Sequence, residues 1–373
     1  MIVFCHLLND NSGSPRMLSA VIPLLARPGD RSLLFLGSDG TGCLSDGPVP
    51  TVRYWYRRTP FRLITLATYI ASQVTLFFRL LASRSIDRDA VIYINTALPF
   101  GAALFGWLTG RRVVYHLHEV SISPAPFRWL LVGVARFTAT RLLYVSDFHR
   151  QCLPIGRIPS RTVHNSVDVG IRLRADGHGY RHRPGGVFRV LMLATLRDYK
   201  GVPEFLDLAR RLAGHPDIYF DLVANDKASD VARYFVDHDL PQQMTVHPRT
   251  ADPSDHYEKA SLVLNLSRPD QCVETFGLTL IEAMAFGVPV LAPPVGGPKE
   301  LVEDGVQGYR IDSRDGDRLA QRVLALAGDE ALCLRLSAAC RERAARFSPE
   351  AFDRSLREAL VGLVSPGSDA ENI

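Results

Sequence analysis

Short runs rich in aliphatic and aromatic side chains alternate along this chain with longer stretches in which apolar residues recur every three or four positions. The short runs at 2–8, 32–36, 91–95, 112–116 and 141–145 have the near-continuous apolar character of strands covered on both faces. Between them the spacing predicts helices over 15–25, 61–82, 101–108 and 126–138. A polar, glycine-rich segment, RADGHGYRHRPGG at 174–186, then interrupts the pattern and reads as a linker. Beyond it the series restarts, with strands at 188–194, 219–223, 244–247, 262–266 and 289–292. Helices are expected at 203–212, 278–286, 299–302, 317–327 and 330–346, and a last one after the cap FSPE at 347–350. Strands alternating with helices imply parallel sheets with helical cover, so the expectation is α/β: two Rossmann-like domains facing a central cleft. The domains are placed at 1–172 and 187–346 with a linker at 173–186. A C-terminal helix within 347–373 is expected to pack back on the first domain and to end in a frayed tail.

Composition refines this picture in three places. At 373 residues, 47% hydrophobic and 22% charged, the chain has the make-up of two ordinary globular domains. The opening MIVFCHLLNDNSG lacks a basic region before a cleavable apolar core, so no signal peptide is expected. Its six cysteines, at 5, 43, 152, 272, 333 and 340, show no CxxC or CxH spacing. That argues against a zinc site or a disulfide scaffold and for a reducing, cytoplasmic setting.

Charge is uneven. Residues 1–172 hold 19 Arg, no Lys, 8 Asp and 1 Glu, a net of +10, which leaves −6 for the rest of a chain whose total is +4. A basic front half suits an acidic substrate, an anionic membrane surface or nucleic acid. Nucleic acid is not expected, because neither an aromatic RNP pattern nor a basic zipper is present. The uncharged run LITLATYIASQVTLFF at 63–78 is sixteen residues, shorter than the ~20 a spanning helix needs. It reads either as a core helix of the first domain or, behind the arginine- and aromatic-rich RYWYRRTPFR, as a helix at a membrane surface.

The candidate chemistry lies in ETFGLTLIEAMAFGVPV at 274–290. Between Phe276 and Val290 the sole formal charge is Glu282, set in an apolar helix, and a buried carboxylate is costly without a partner. Either a neighbouring group satisfies it, or it receives a ligand such as the vicinal hydroxyls of a ribose. Gly277 opens the helix and Gly287 is placed to close it. The first-turn N–H groups of Gly277, Leu278 and Thr279 form an anion site suited to a diphosphate, with Glu274 in the loop before them.

The stretch from 274 to 312, ETFGLTLIEAMAFGVPVLAPPVGGPKELVEDGVQGYRID, resembles the signature of retaining, GT-B-fold glycosyltransferases of family 4, also called group 1. The shared features are a Glu, seven residues and a second Glu, then EAMA, a Gly-rich turn and ELV. The resemblance implies that Glu282 binds ribose, that Glu274 lies against the donor sugar, and that Phe276, Gly277 and Leu278 hold the distal phosphate and sugar through backbone. LATLRDYKGV at 193–202 is similar to the family segment whose Arg and Lys clamp a diphosphate. Lys200 and Gly201 match it, while Thr195 stands where the family has Arg and Arg197 follows two places on. In the front half, Gly13 lies in place of the family's glycine-rich loop, and His118 of YHLHE in place of a donor-facing His, with Glu119 a weaker candidate. HNSVD at 164–168 is similar to the family's PNGVD, which ends the first domain.

The resemblance implies transfer of a sugar from a nucleotide-diphosphate donor to a glycan or lipid-linked acceptor, in surface polysaccharide or glycolipid synthesis, and the basic front half adds the expectation of a place at the inner face of the cell membrane. The catalytic set is Glu274, Lys200 and His118. The donor set is Glu282, Phe276, Gly277, Leu278, Thr279, Arg197 and Gly13. No cofactor and no essential metal are expected. Two alternatives on the same fold are a nucleotide-sugar epimerase or hydrolase and a non-catalytic scaffold subunit. NAD binding is disfavoured by the absence of GxGxxG after strands 2–8 and 188–194.

Overall fold

Five buried residues in a row, Ile2–His6, form the first strand (β1) at the centre of a parallel sheet. Its companions are β2 (Leu33–Gly37), β3 (Thr51–Tyr54), β4 (Val91–Asn95), β5 (Arg112–Leu117), β6 (Arg141–Tyr144) and β7 (Ser160–Thr162), in the order β3-β2-β1-β4-β5-β6-β7. Register pairs Val3 with Leu33 on one side of β1 and with Ile92 on the other. The helices of this unit are α1 (Gly13–Leu25), α2 (Arg62–Ala82), α3 (Phe100–Leu108), α4 (Ala125–Thr138) and α5 (Asp147–Cys152). The computed structural model describes residues 1–26, 29–38 and 40–364; the tail expected to fray falls largely on 365–373, outside them.

The described chain divides into two units, residues up to 164 together with 353–364, and residues 165–352. In the first, α3 runs beside both α2 and α4, and the three send Tyr69, Leu76, Leu80, Ala103, Phe105, Leu131 and Ala135 into one core with Val3, Ile92, Ile94 and Tyr115. Each large apolar side chain buried there contributes roughly 1.5–3 kcal/mol. Gly101 sets how close α3 comes to α2, since a Cβ on it would lie 2.2 Å from the Gln73 carbonyl oxygen. The C-terminal segment is held by Arg112 Nη1, which donates to the carbonyls of Gly362 and Leu363 at 2.8 and 3.0 Å.

The second unit opens with α6 (Val169–Asp176). Its sheet comprises β8 (Phe188–Ala194), β9 (Ile218–Ala224), β10 (Met244–His247), β11 (Leu262–Leu264), β12 (Val290–Ala292) and β13 (Gly308–Arg310), in the order β10-β9-β8-β11-β12-β13. Around it lie α7 (Val202–Arg211), α8 (Ala228–Tyr234), α9 (Ser254–Glu258), α10 (Leu278–Ala285), α11 (Pro298–Leu301), α12 (Gly316–Gly328) and α13 (Glu330–Ala345). The last helix, α14 (Pro349–Ala359), follows. In each sheet the strand order reverses at one point, beside β1 and β4 in the first and beside β8 and β11 in the second. Open α/β sheets bind ligands outside the carboxyl ends of strands at that place.

One expectation is corrected. The segment expected as a linker is ordered structure of the second unit, which begins at Asn165 rather than after 172. Asp168 caps α6 by accepting from Gly170 and Ile171 amides, Arg174 pairs with Asp255 and Glu258 on α9, and Tyr180 donates to the Ser261 carbonyl at 2.9 Å. Its polar composition reflects an exposed outer face. The apolar run at 63–78 sends Tyr69 and Leu76 into the core of the first unit. It lies within the 21-residue α2, whose outward side chains are largely exposed.

Candidate active site

The loop leaving β8 is tied to the end of β9 before it turns. Asn225 N–H donates to the Ala194 carbonyl at 2.9 Å, and Leu196 N–H to Asp226 Oδ2 at 2.8 Å. One turn of 3-10 helix, Asp198–Lys200, then presents Lys200, and Gly201 starts α7 in the left-handed region at φ +83°. A Cβ on Gly201 would sit 2.2 Å from the Leu266 carbonyl oxygen, so glycine alone lets this loop lie against the one leaving β11. That approach assembles the site. Lys200 Nζ meets Glu274 Oε1 at 2.6 Å, and Ser267 Oγ donates to the same oxygen at 2.7 Å. The lysine and glutamate side chains are 24% and 20% exposed. Burial works to lower the Lys200 pKa, but the Glu274 carboxylate outweighs it and the pKa is raised. For Glu274 burial pulls upward, while Lys200, Ser267 and Asn265 hold the carboxyl below its ordinary value. The result is an ion pair at neutral pH.

A glycine pair fixes the glutamate from behind. Cβ atoms on Gly296 and Gly297 would lie 2.4 Å from the Glu274 carbonyl oxygen and 2.2 Å from that of Thr275. Gly297 N–H donates to the Glu274 carbonyl at 2.9 Å. Gly277, at φ +114°, then starts α10 without a side-chain cap, leaving Leu278 and Thr279 half-buried in its first turn. Gly287, at φ +74°, ends that helix with its N–H on the Met284 carbonyl at 2.9 Å. Phe276 is 2% exposed and packs edge-on against Phe347, so it can offer a ligand only backbone.

Glu282 lies one turn into α10, 1% exposed, and Tyr257 on α9 donates its hydroxyl to Glu282 Oε2 at 2.8 Å. The carboxylate therefore has a structural partner. Tyr257 is itself held by stacking on Phe286, with ring centroids 5.6 Å apart. Arg197 is exposed and folds back on its own loop, donating Nη1 to the Leu196 carbonyl at 3.0 Å, and the structure does not join it to the Lys200–Glu274 pair.

Residues 181–345, which include Lys200, Tyr257, Ser267, Glu274 and Glu282, match the family described as Glycosyl transferases group 1. Over these residues the chain is similar to the group 1 glycosyl transferases. D-inositol 3-phosphate glycosyltransferase 1 of Catenulispora acidiphila is 33% identical to this protein over 234 residues, 56% of this chain and 54% of that protein. The sucrose synthase of Denitrovibrio acetiphilus is 51% identical over 51 residues, 14% of this chain and 6% of its own. The chain thus spans about half the length of the first relative and a small part of the second. Among solved structures, Anabaena HepE in complex with UDP and glucose matches 97% of this chain and 99% of its own with TM-score 0.74 at 20% identity. Sucrose-phosphate synthase from Thermosynechococcus elongatus matches 96% and 97% with TM-score 0.71 at 17% identity. At such identities the likeness is one of fold, and the fold of this chain is GT-B.

The front-half candidates gather at the carboxyl ends of β1, β4, β5 and β6. His118 Nε2 meets Asn95 Oδ1 at 3.0 Å, and Asn95 Nδ2 donates to the Ser14 carbonyl at 3.0 Å, beside Gly13 at the start of α1. His6 Nδ1 lies 3.1 Å from the Asn95 carbonyl oxygen, the His116 ring is tilted against that of His118 with centroids 4.5 Å apart, and His149 Nε2 meets the Glu119 carbonyl at 2.9 Å. Glu119 accepts from the amides of Ala97 and His118 at 3.3 Å each. Burial lowers the imidazole pKa of His6 and His149 to about 4 and of His116 to about 3, holds His118 well below 6.5, and pushes Glu119 up to about 7. Thr96, between Asn95 and this cluster, has φ +77°, an unusual position for a β-branched residue. Sequence reasoning missed Tyr257, Ser267, Asn95 and Thr96. Only Asn95, a polar residue ending an apolar strand, carried a signal.

Proposed function

We propose that this protein is a group 1 glycosyl transferase that moves a sugar from a nucleotide-diphosphate donor to a hydroxyl of a glycan or lipid-linked acceptor with retention at the anomeric carbon, in surface polysaccharide or glycolipid synthesis. The observation that carries the reading is the Lys200–Glu274 pair, 2.6 Å apart where the strand order of the second unit reverses, on the loop that leads to the uncapped start of α10. A cation and oriented N–H groups suit a diphosphate. UDP and UDP-glucose bound to the similarly folded HepE support a nucleotide sugar as donor.

In this reading Lys200 turns from Glu274 to the diphosphate, and the amides of Leu278 and Thr279 share its charge. The anomeric carbon–oxygen bond breaks with its electron pair passing to the phosphate oxygen. The acceptor hydroxyl oxygen bonds to the anomeric carbon on the same face, and its proton passes to the departing phosphate. Glu274, fixed from behind by Gly296 and Gly297, orients the sugar. Tyr257 orients Glu282 toward the ribose hydroxyls. Arg197 reaches the donor only by leaving the Leu196 carbonyl, so Lys200 carries the larger part. No metal enters the step. Six free cysteines, three of them buried, suit a cytoplasmic setting.

Calorimetric titration with UDP, GDP and ADP in the presence of a chelator tests the reading. Micromolar binding of one nucleotide, weakened by both Lys200→Ala and Glu282→Ala, supports it. If no nucleotide binds, or binding ignores both residues, the donor site lies elsewhere and a non-catalytic GT-B subunit becomes the better description.

A further inference from the structure

The feature that the transfer reaction leaves unexplained is the outer face of α2. Its inward stripe is the more polar one: Tyr69, Ser72 and Gln73 face the core with Leu76 and Leu80. Gln73 Oε1 accepts from the Gly101 amide at 3.2 Å, Gln73 Nε2 donates to Ser72 Oγ at 3.0 Å, and Tyr69 donates its hydroxyl to the Leu98 carbonyl at 2.6 Å. The outward stripe carries Leu63, Ile64, Ile70, Val74 and Phe78, with Leu63 82% and Phe78 60% exposed. A helix covering a sheet in water has the opposite polarity. The neighbouring helices extend the apolar surface. Trp107 on α3 and Phe137 on α4 meet edge to face 5.3 Å apart, both exposed, and Trp129 on α4 is 72% exposed. All three tryptophans of the chain, Trp55, Trp107 and Trp129, are at least 47% exposed.

Charge decides the occupant. Residues 53–86, 90–118 and 120–146, which contain all three helices, include no Asp or Glu. Arg57, Arg58 and Arg62 stand before or at the start of α2, Arg79 and Arg84 at its end, and Arg128 and Arg136 on α4. A second copy of this chain would set arginine against arginine across the same patch. An anionic bilayer offers hydrocarbon and phosphate together, with tryptophan favoured at headgroup level.

We propose that the α2–α3–α4 face docks the first unit onto an anionic lipid bilayer, its apolar side chains at the headgroup–acyl boundary and its arginines on lipid phosphates. With 21 residues α2 is long and apolar enough to cross a membrane. Its inward stripe is hydrogen-bonded into the unit, so it lies in the membrane plane instead. The inference stands independently of the transfer reaction.

Full-length protein is mixed with vesicles of phosphatidylcholine alone or with added phosphatidylglycerol, and read by co-sedimentation and tryptophan emission. The expected result is sedimentation with the anionic vesicles, a blue shift of emission, and binding that weakens as salt rises. Arg57→Gln and Arg62→Gln each weaken binding roughly fivefold, and Ile70→Ser and Phe78→Ser each about tenfold or more. These side chains are exposed, so the variants keep the parent thermal midpoint and nucleotide affinity. Sedimentation with neither vesicle, equal binding to both, or a stable dimer that vesicles do not dissociate overturns the proposal.

Discussion

Replacing Lys200 by methionine separates what the central ion pair does for stability from what it does for binding. The variant keeps the aliphatic stem and loses the ammonium 2.6 Å from Glu274 Oε1. Removing one partner of a buried pair costs about 3–5 kcal/mol, because the other charge is stranded, whereas exposed pairs are worth about 0–1 kcal/mol. Side chains 24% and 20% exposed lie between these limits, and Ser267 still donates to the carboxylate, so a loss of about 2 kcal/mol is expected. For a unit of this size that lowers the thermal midpoint by about 4–8 °C. Replacing both partners, Lys200→Met with Glu274→Leu, removes the stranded charge, and the midpoint should return most of the way to that of the parent. Nucleotide affinity should not return with it. A charge-assisted bond from Lys200 to a phosphate is worth about 1.5–3 kcal/mol, so the single and the double variant should both bind about 10–150-fold more weakly. Scanning calorimetry and isothermal titration on the parent, both single variants and the double variant read the two quantities side by side. A Lys200→Met protein as stable as its parent would refute the pairing argument. A double variant that binds nucleotide like the parent would refute the binding one.

Acid should destabilise the protein through its front-half cluster. As pH falls from about 6.5 toward 4, the unfolded histidines take up protons that His6, His116, His118 and His149 refuse when folded, each removing up to about 1.4 kcal/mol per pH unit. Glu119 opposes them, because between about pH 4.3 and 7 its folded carboxyl keeps a proton that the unfolded one has released. Four against one leaves a net loss, measurable by urea unfolding at about pH 7 and about pH 5, and Glu119→Gln should steepen it; a flat profile would count against the buried cluster. Gly201→Ala has to place a Cβ 2.2 Å from the Leu266 carbonyl oxygen at a φ of +83°, so it should lose more than about 1 kcal/mol in thermal unfolding and weaken nucleotide binding as well; a neutral effect on both would mean the loop does not need its close approach. Tyr257→Phe removes the 2.8 Å bond to Glu282 and should cost about 1–3 kcal/mol by the same assay, with an unchanged midpoint showing that other groups suffice to hold the carboxylate.

How much of this was legible depended on whether the cause was local. The ends of α10 were, because a glycine at each end, Gly277 and Gly287, takes a positive φ that few other residues adopt. The strands β3, β7 and β13 were not; each has three or four residues, too few for an alternation to register. The partner of Glu282 was hidden for a different reason. Tyr257 lies 25 positions upstream on a five-residue helix, and nothing in either segment names the other. For α2 the apolar run predicted a helix correctly but could not say which stripe faced inward. The contact that decides it, Gln73 on the Gly101 amide, depends on a glycine in another helix. Asp168 does offer a readable cap for α6, yet the polar surroundings hide the helix, whose last four residues fall in the expected linker.

The two units place different chemistry at the same topological position. In the second, a lysine held charged by its glutamate precedes a helix start, an arrangement for anions. In the first, four imidazoles are kept neutral by burial, and a neutral imidazole both donates and accepts, which suits hydroxyl groups and asks for no countercharge. Thr96 adds a cost of roughly 1–3 kcal/mol for its left-handed backbone, and that strain persists because its neighbours fix it on both sides. Its N–H donates to the His116 carbonyl at 2.8 Å, and the next amide, of Ala97, donates to Glu119. The strained residue thus aims a donor at the one carboxyl whose pKa sits near 7, where a group can give or receive a proton at little expense. At these two strand-end positions the second unit sets a fixed ion pair and the first sets neutral imidazoles beside a poised carboxyl, which in the proposed reading suits a diphosphate in the one and a hydroxyl group in the other.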